Sequence, residues 1–142
     1  MSKQEIIRTF NFDSDYDRVM HLWKYAGEGI QLRRSDEPAE ILKKIKRDPD
    51  LFLICEVEDE IIGAVLGGYD GRRGMMYHLA VDHSYRNTGV ATRLVEELES
   101  RLRKKDCIRY YLLVTQNNDL AIRFYENRGW EKLDLFVYAK DL

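Results

Sequence analysis

The stretch from Met75 to Leu98 constrains the fold of this chain more than any other. Met75-Met76-Tyr77-His78-Leu79-Ala80-Val81 is an apolar run of strand length, and the turn formers Asp82, His83, Ser84, Asn87 and Gly89 come after it. Val90, Ala91, Leu94, Val95, Leu98 and Leu102 then recur at helical spacing. The reading is a buried strand that runs through a short polar loop into an amphipathic helix. Such a junction makes an anion site, because the first amides of a helix lack partners within it and its dipole favours negative charge. Gly89 lets an anion approach the backbone closely, and Arg86 adds a permanent planar cation. A plain strand-to-helix turn with a solvated arginine fits the same residues, so spacing alone leaves both readings open.

The rest of the chain supplies the elements around this junction. Glu5 to Phe10 reads as a first strand. Asp13 or Ser14 can cap a helix with Tyr16, Val19, Met20 and Trp23 on one face, ended by Gly27 and Gly29. Glu28 to Ser35 lacks periodicity and reads as a loop. Pro38 opens a second helix with Ile41, Leu42 and Ile45 inward, and Asp48-Pro49 stops it. Leu51 to Val57 and Ile61 to Gly68 form an antiparallel hairpin around the turn Glu58-Asp59-Glu60. Gly63, Gly67 and Gly68 in its second strand point to a bulge or a close backbone approach. Asp70 to Gly74 turns the chain back into the Met75 strand.

After the helix from about Gly89 to Lys104, Ile108 to Val114 reads as a strand parallel to the Met75 strand through a right-handed crossover. Asn118 or Asp119 caps a short helix carrying Leu120, Ala121, Phe124 and Tyr125, and Gly129 is its C-terminal glycine. Trp130 to Ala139, with Leu133, Leu135 and Val137 alternating, predicts one or two final strands. The apolar edge of those strands (Leu133, Leu135, Phe136, Val137 and Tyr138) suits a homodimer contact.

Composition narrows the function classes. A chain of 142 residues is one domain by length, and 44% hydrophobic residues provide a core. The net charge of −2 and the lack of a strongly basic face or tail argue against nucleic acid as a partner. The basic clusters Lys43, Lys44, Lys46, Arg47 and Arg101, Arg103, Lys104, Lys105 read as solvated helix faces. Cys55 and Cys107 are isolated and no Cys/His spacing suggests a metal, so a reduced, cytoplasmic setting is expected. No run of about 18 apolar residues and no signal-peptide pattern is present, which leaves no membrane role.

Two motifs carry a family resemblance. Arg86-Asn87-Thr88-Gly89-Val90-Ala91 resembles the R/Q-x-x-G-x-G/A loop of the GNAT superfamily, the acyl-CoA-dependent N-acyltransferases. Asn118-x-x-Ala121-x-x-Phe124-Tyr125 with Gly129-Trp130 resembles that family's N-x-x-A-x-x-x-Y-x-x-x-G-F segment. The element order β-α-α-β-β-β-α-β-α-β(β) is also the family's, so the resemblance covers nearly the whole chain, which is most similar to small stand-alone bacterial members.

The resemblance implies an α/β (α+β) GNAT domain over residues 1–142, with a mixed central sheet whose parallel strands splay apart at the cofactor. It implies acetyl-CoA as co-substrate, no metal, and acetyl transfer to a primary amine of a small molecule, peptide or protein. Leu79 and Val81 would then offer backbone bonds to pantetheine, while Arg86, Asn87, Gly89, Val90, Ala91 and Thr92 surround the pyrophosphate. Tyr125 matches the family's proton donor, although its place on the buried helix face also suits an aromatic core residue. Asn118 would cap the helix and touch the cofactor; capping alone explains it as well.

Amine attack on a thioester needs a neutral amine, an oxyanion donor and a proton for the thiolate. A backbone N–H near Leu79 suits the oxyanion. The base is missing from the expected place, since Met75 and Tyr77 occupy it. His78 has the opposite strand parity and is expected on the other face unless a bulge intervenes. Glu28, in the Gly27–Ser35 loop expected to wall the acceptor site with Arg33 and Arg34, is another candidate. An amine that arrives already neutral, or loses its proton through water to Glu28, is the resulting expectation. The competing class is a catalytically weak GNAT-fold domain that binds or senses acyl-CoA. Dinucleotide and P-loop readings fail for want of G-x-G-x-x-G and G-K-[S/T].

Overall fold

The computed structural model describes residues 4–142, so the first three residues of the expected domain lie outside the described part. Its elements are β1 (Glu5–Thr9), α1 (Phe12–Ala26), α2 (Pro38–Arg47), β2 (Phe52–Val57), β3 (Glu60–Tyr69), β4 (Gly74–Val81), α3 (Val90–Lys104), β5 (Tyr110–Leu112) and α4 (Asp119–Glu126). Single 3-10 turns at Arg34–Asp36 and His83–Tyr85 lie in the loops before α2 and α3. Strands lie in the sheet in chain order, β1 to β5. The first four pair antiparallel, and β4 pairs with β5 in parallel across the α3 crossover. This mixed sheet is the α/β fold that the element order implies. Among the described residues no helix is long and apolar enough to cross a membrane.

Strand alternation divides the core in two. Leu53, Cys55 and Val57 of β2 face α3, where they meet Val90, Leu94, Val95, Leu98 and Leu102. Phe52 and Ile54 face the other way, against Val19, Leu22 and Trp23 of α1 and Ile41 of α2. Each fully buried side chain of this kind contributes about 1.5–3 kcal/mol. The β3 glycines let α3 approach: a Cβ on Gly63 would lie 3.0 Å from both Leu94 and Val90, and one on Gly67 would run into Leu98.

Several boundaries differ from expectation for local reasons. Asn11, not Asp13 or Ser14, caps α1, its side chain accepting from the Asp13 amide at 3.1 Å. Asp15 is spent on a buried cluster, where Arg8 donates to it at 2.7 Å and the Asn11 amide at 2.7 Å. Burial works to raise the Asp15 pKa, but Arg8, the Asn11 amide and Arg18 outweigh it and hold it at about 2. Leu42, expected inward, is exposed, because α2 meets the sheet only along the narrow stripe of Ile41 and Ile45.

The largest departure is at the C-terminal end. Trp130 to Ala139 forms no strand, and Leu135, Phe136, Val137 and Tyr138 are exposed. The alternation is a strand pattern, but a strand persists only with a neighbour to pair with. Within the described chain this segment has none.

Candidate active site

The site begins where the parallel pair ends. β4 and β5 are in register at Gly74–Tyr110, Met75–Tyr111 and Met76–Leu112, and no further. Beyond Met76, β4 continues to Val81 without a β5 partner, so its backbone edge is free. Two clefts open there. One, of about 450 Å³, lies between the end of β4, the start of α3 and α4. The other, of about 950 Å³, lies between β4, the Glu28–Asp36 loop, α2 and the chain after β5. Glu28, Leu79, Asn118, Ala121 and Tyr125 line both.

The smaller cleft collects every residue expected around the cofactor: Leu79, Val81, Arg86, Asn87, Gly89, Val90, Ala91, Thr92, Asn118 and Tyr125. Gly89 caps α3 at φ 87°, a left-handed conformation that a side chain would strain. Val90, Ala91 and Thr92 of the first turn line the cleft, and the first amides of a helix have no partner within it. Asn118 caps α4 through Ala121 (3.2 Å) and also donates to the Glu28 carbonyl (3.3 Å), tying the loop to α4. Arg86 is less free than its charge suggested. Its guanidinium donates to the carbonyls of Ala26 (2.7 Å) and Val81 (3.4 Å) and to both Glu28 carboxylate oxygens (3.0 Å each). It joins the end of α1 to the end of β4. A second cation, Arg128, lines this cleft unforeseen, lying 3.8 Å over the Phe124 ring and donating to the Thr92 hydroxyl at 2.7 Å.

The larger cleft owes its chemistry to a bulge. Val65 of β3 pairs with Leu79, and Gly67 pairs with Met76, so Leu66 lies opposite both Tyr77 and His78. Met76 and Leu79 consequently pack on the same, α3 side, three residues apart. His78 is not on the face that hides it from the cleft. It lines the larger cleft together with Met75 and Tyr77, and its ring meets Trp23 of α1 edge-on at 4.8 Å. The parity expectation is thereby overturned.

His78 has a partner that sequence reasoning missed. Its Nε2 lies 3.2 and 3.3 Å from the two carboxylate oxygens of Asp36, which is 6% exposed. The Arg33 amide donates to the same carboxylate at 3.1 Å, and the Tyr16 hydroxyl donates to the Asp36 carbonyl at 2.8 Å. Burial opposes ionisation of Asp36, yet the His78 and Arg33 hydrogen bonds outweigh it and lower its pKa. The 3-10 turn that presents Asp36 begins within the Glu28–Ser35 stretch read as a plain loop and ends one residue beyond it. Lys43, Lys44 and Arg47, read as a solvated face, form one wall of this cleft.

Tyr125 stands at the junction. Its hydroxyl makes no hydrogen bond among the described residues, while its ring packs on Phe124 and Trp130. Burial pushes its pKa up to about 12, so the phenol is protonated at neutral pH. Among the described residues, no group of three or more His, Cys, Asp or Glu side chains is arranged to hold a metal ion.

The model of the acetyltransferase (GNAT) family matches residues 9–130. The chain belongs to that family. A relative from Pectobacterium atrosepticum named an acetyltransferase is 40% identical over 138 residues, covering 96% of this chain and 94% of its own. Ard1 from Thermoplasma volcanium, at 25% identity, superposes with a TM-score of 0.77 over 88% of this chain and 81% of its own. The PaiA N-acetyltransferase of Thermoplasma acidophilum, solved with coenzyme A, shares the fold at 20% identity with a TM-score of 0.78, covering 94% and 93% of the two chains. In this GNAT chain the residues expected at the cofactor fall in one cleft, the three expected acid–base candidates Tyr125, His78 and Glu28 line the other, and Glu28 is taken up by Arg86.

Proposed function

We propose that this protein is an N-acetyltransferase that moves the acetyl group of acetyl-CoA to a primary amine. The observation that carries the reading is the meeting of two clefts of different character at one half-buried, protonated tyrosine. The free β4 edge from Tyr77 to Val81 suits the pantetheine amides, and the Arg86–Thr92 loop with the α3 N-terminus suits the diphosphate. The thioester then lies beside Leu79 and Tyr125.

The acceptor amine enters by the larger cleft. His78 takes its proton as the nitrogen attacks the thioester carbonyl. Asp36 accepts from His78 Nε2–H, which leaves Nδ1 as the basic nitrogen and stabilises the imidazolium that forms. A backbone N–H near Leu79 steadies the oxyanion. The carbon–sulfur bond breaks, and Tyr125 protonates the departing thiolate. His78 replaces Glu28 as base because the Glu28 carboxylate already holds Arg86.

Thiol release from acetyl-CoA across a panel of primary amines tests the reaction. Tyr125→Phe keeps the ring and removes the proton, so kcat should fall about 10²–10⁴-fold with cofactor affinity little changed. The acid form of Tyr125 is the active one, so its pKa of about 12 predicts no alkaline loss of kcat from this group until pH approaches that value. Tight cofactor binding without amine-dependent thiol release would replace the enzyme with an acyl-CoA-binding or sensor domain.

A further inference from the structure

The charges of the larger cleft do not cancel. Among the described residues its lining holds the carboxylates of Glu28, Asp36 and Glu40, and each already has a partner. Glu28 holds the Arg86 guanidinium, Asp36 holds His78 Nε2 and the Arg33 amide, and Glu40 lies 2.5 Å from Lys43 Nζ. Lys44, also in the lining, is held by Asp48. The guanidinium groups of Arg33 and Arg47 are left, with no carboxylate in ion-pair range among the described residues. Arg33 donates to the Gln31 side-chain oxygen at 2.6 Å, and Arg47 donates to the Tyr69 carbonyl at 3.0 Å. Asp70 feels the Arg47 charge, but its carboxylate is taken up by the Arg72 and Arg73 amides, each at 2.7 Å. The two signs also lie apart. Arg47 belongs to the last turn of α2, where the helix dipole favours a cation, and it binds the end of β3 at Tyr69, which pairs with Gly74. His78, with Asp36 on it, lies further along β4, about 10–13 Å from Gly74 at the rise of a strand. The cleft thus has a carboxylate behind its base and a spare cation at its far end.

We propose that the acceptor is a small amine that also carries an anionic group, a carboxylate or a phosphate, several bonds from its nitrogen, held by Arg47 with Arg33 as the second cation. This rests on acetyl transfer to an amine at the larger cleft. A guanidinium that exchanges a neutral oxygen for an oxyanion gains a charge-assisted hydrogen bond, and its fork matches both anions. The nitrogen of such an acceptor points toward His78, and its negative end stays clear of Asp36. An acceptor with a second ammonium in place of the anion meets like charge at Arg47 and is rejected.

Thiol release from acetyl-CoA with amines of one chain length tests this: aminohexanoate, aminohexyl phosphate, hexylamine and diaminohexane. For at least one of the two anionic amines kcat/KM should exceed that for hexylamine by about tenfold or more, the order of one hydrogen bond to a charged group. Diaminohexane should fall below hexylamine. Whichever anionic amine leads identifies carboxylate or phosphate as the recognised group. Its advantage should shrink as salt is raised, because the cations are exposed. Arg33→Glu combined with Arg47→Glu should invert the order and put diaminohexane ahead of both anionic amines, with KM for acetyl-CoA unchanged. Both side chains are exposed, and circular dichroism checks the fold of the double variant. Hexylamine or diaminohexane matching or exceeding both anionic amines in the wild type overturns the proposal and leaves the acetyltransferase reading standing. An anionic preference that survives the double variant overturns it too, since the cations responsible then lie elsewhere. Coenzyme A binding without thiol release from any amine removes the acetyltransferase reading itself, and the proposal falls with it.

Discussion

The two clefts are built by different means. The smaller is made of backbone: a free strand edge, the first amides of α3, and Gly89 in a left-handed conformation. The larger is made of side chains brought from separate elements, with His78 from β4, Asp36 from the loop before α2, and Lys43, Lys44 and Arg47 from α2 itself. A backbone site is written locally, in a few consecutive residues whose shape is the recognition. A side-chain site depends on how distant elements meet. One face of the molecule thus suits a fixed ligand and the other a ligand chosen by charge.

The largest effect expected from that contrast is at the backbone site. Gly89→Asp places a carboxylate where the proposed function seats the cofactor's diphosphate and also strains the left-handed turn. Juxtaposed like charges cost several kcal/mol, so affinity for coenzyme A should fall by about 10²–10³-fold in calorimetry, with circular dichroism confirming the fold. Unchanged affinity in the folded variant would show that the loop is not the diphosphate site.

Glu28→Gln should have a small effect of the opposite sign. It releases the Arg86 guanidinium from an exposed ion pair worth at most about 1 kcal/mol, while the Ala26 and Val81 carbonyls still hold it in place. Coenzyme A should bind a few-fold more tightly, and kcat should change little. A kcat loss of about 10²-fold or more would return Glu28 to the role of base and blur the division between the clefts.

Legibility in the sequence divides along the same line. The strand, loop and helix from Met75 to Leu98 were legible because the pattern is local and its period is regular. So was Asn118 as a helix cap, three residues before the amide it holds. His78 was misplaced because parity counting assumes an unbroken ladder, and the bulge opposite Leu66 breaks it. The β3 glycines flagged a bulge or close approach without saying which strand would carry the extra residue. Asp36 gave no signal at all, since its meaning lies in a partner 42 positions away. Leu133 to Tyr138 has the composition of a strand, but pairing is a property of two segments, and no single stretch of sequence reports whether the second is within reach.

The central claim is that the bulge puts a base, His78, into the larger cleft. The measurement is kcat/KM against pH for two primary amines of different pKa, in wild type, His78→Ala and Asp36→Asn, each checked for cofactor affinity. The neutral imidazole is the active form, so activity should rise with pH through one break at the same pH for both amines. That break should vanish in His78→Ala. In Asp36→Asn kcat/KM should fall for both amines, because the carboxylate that orients the His78 ring is gone. Breaks that instead track each amine's own pKa, unchanged in both variants, would show that the amine arrives already neutral and that His78 is not the base.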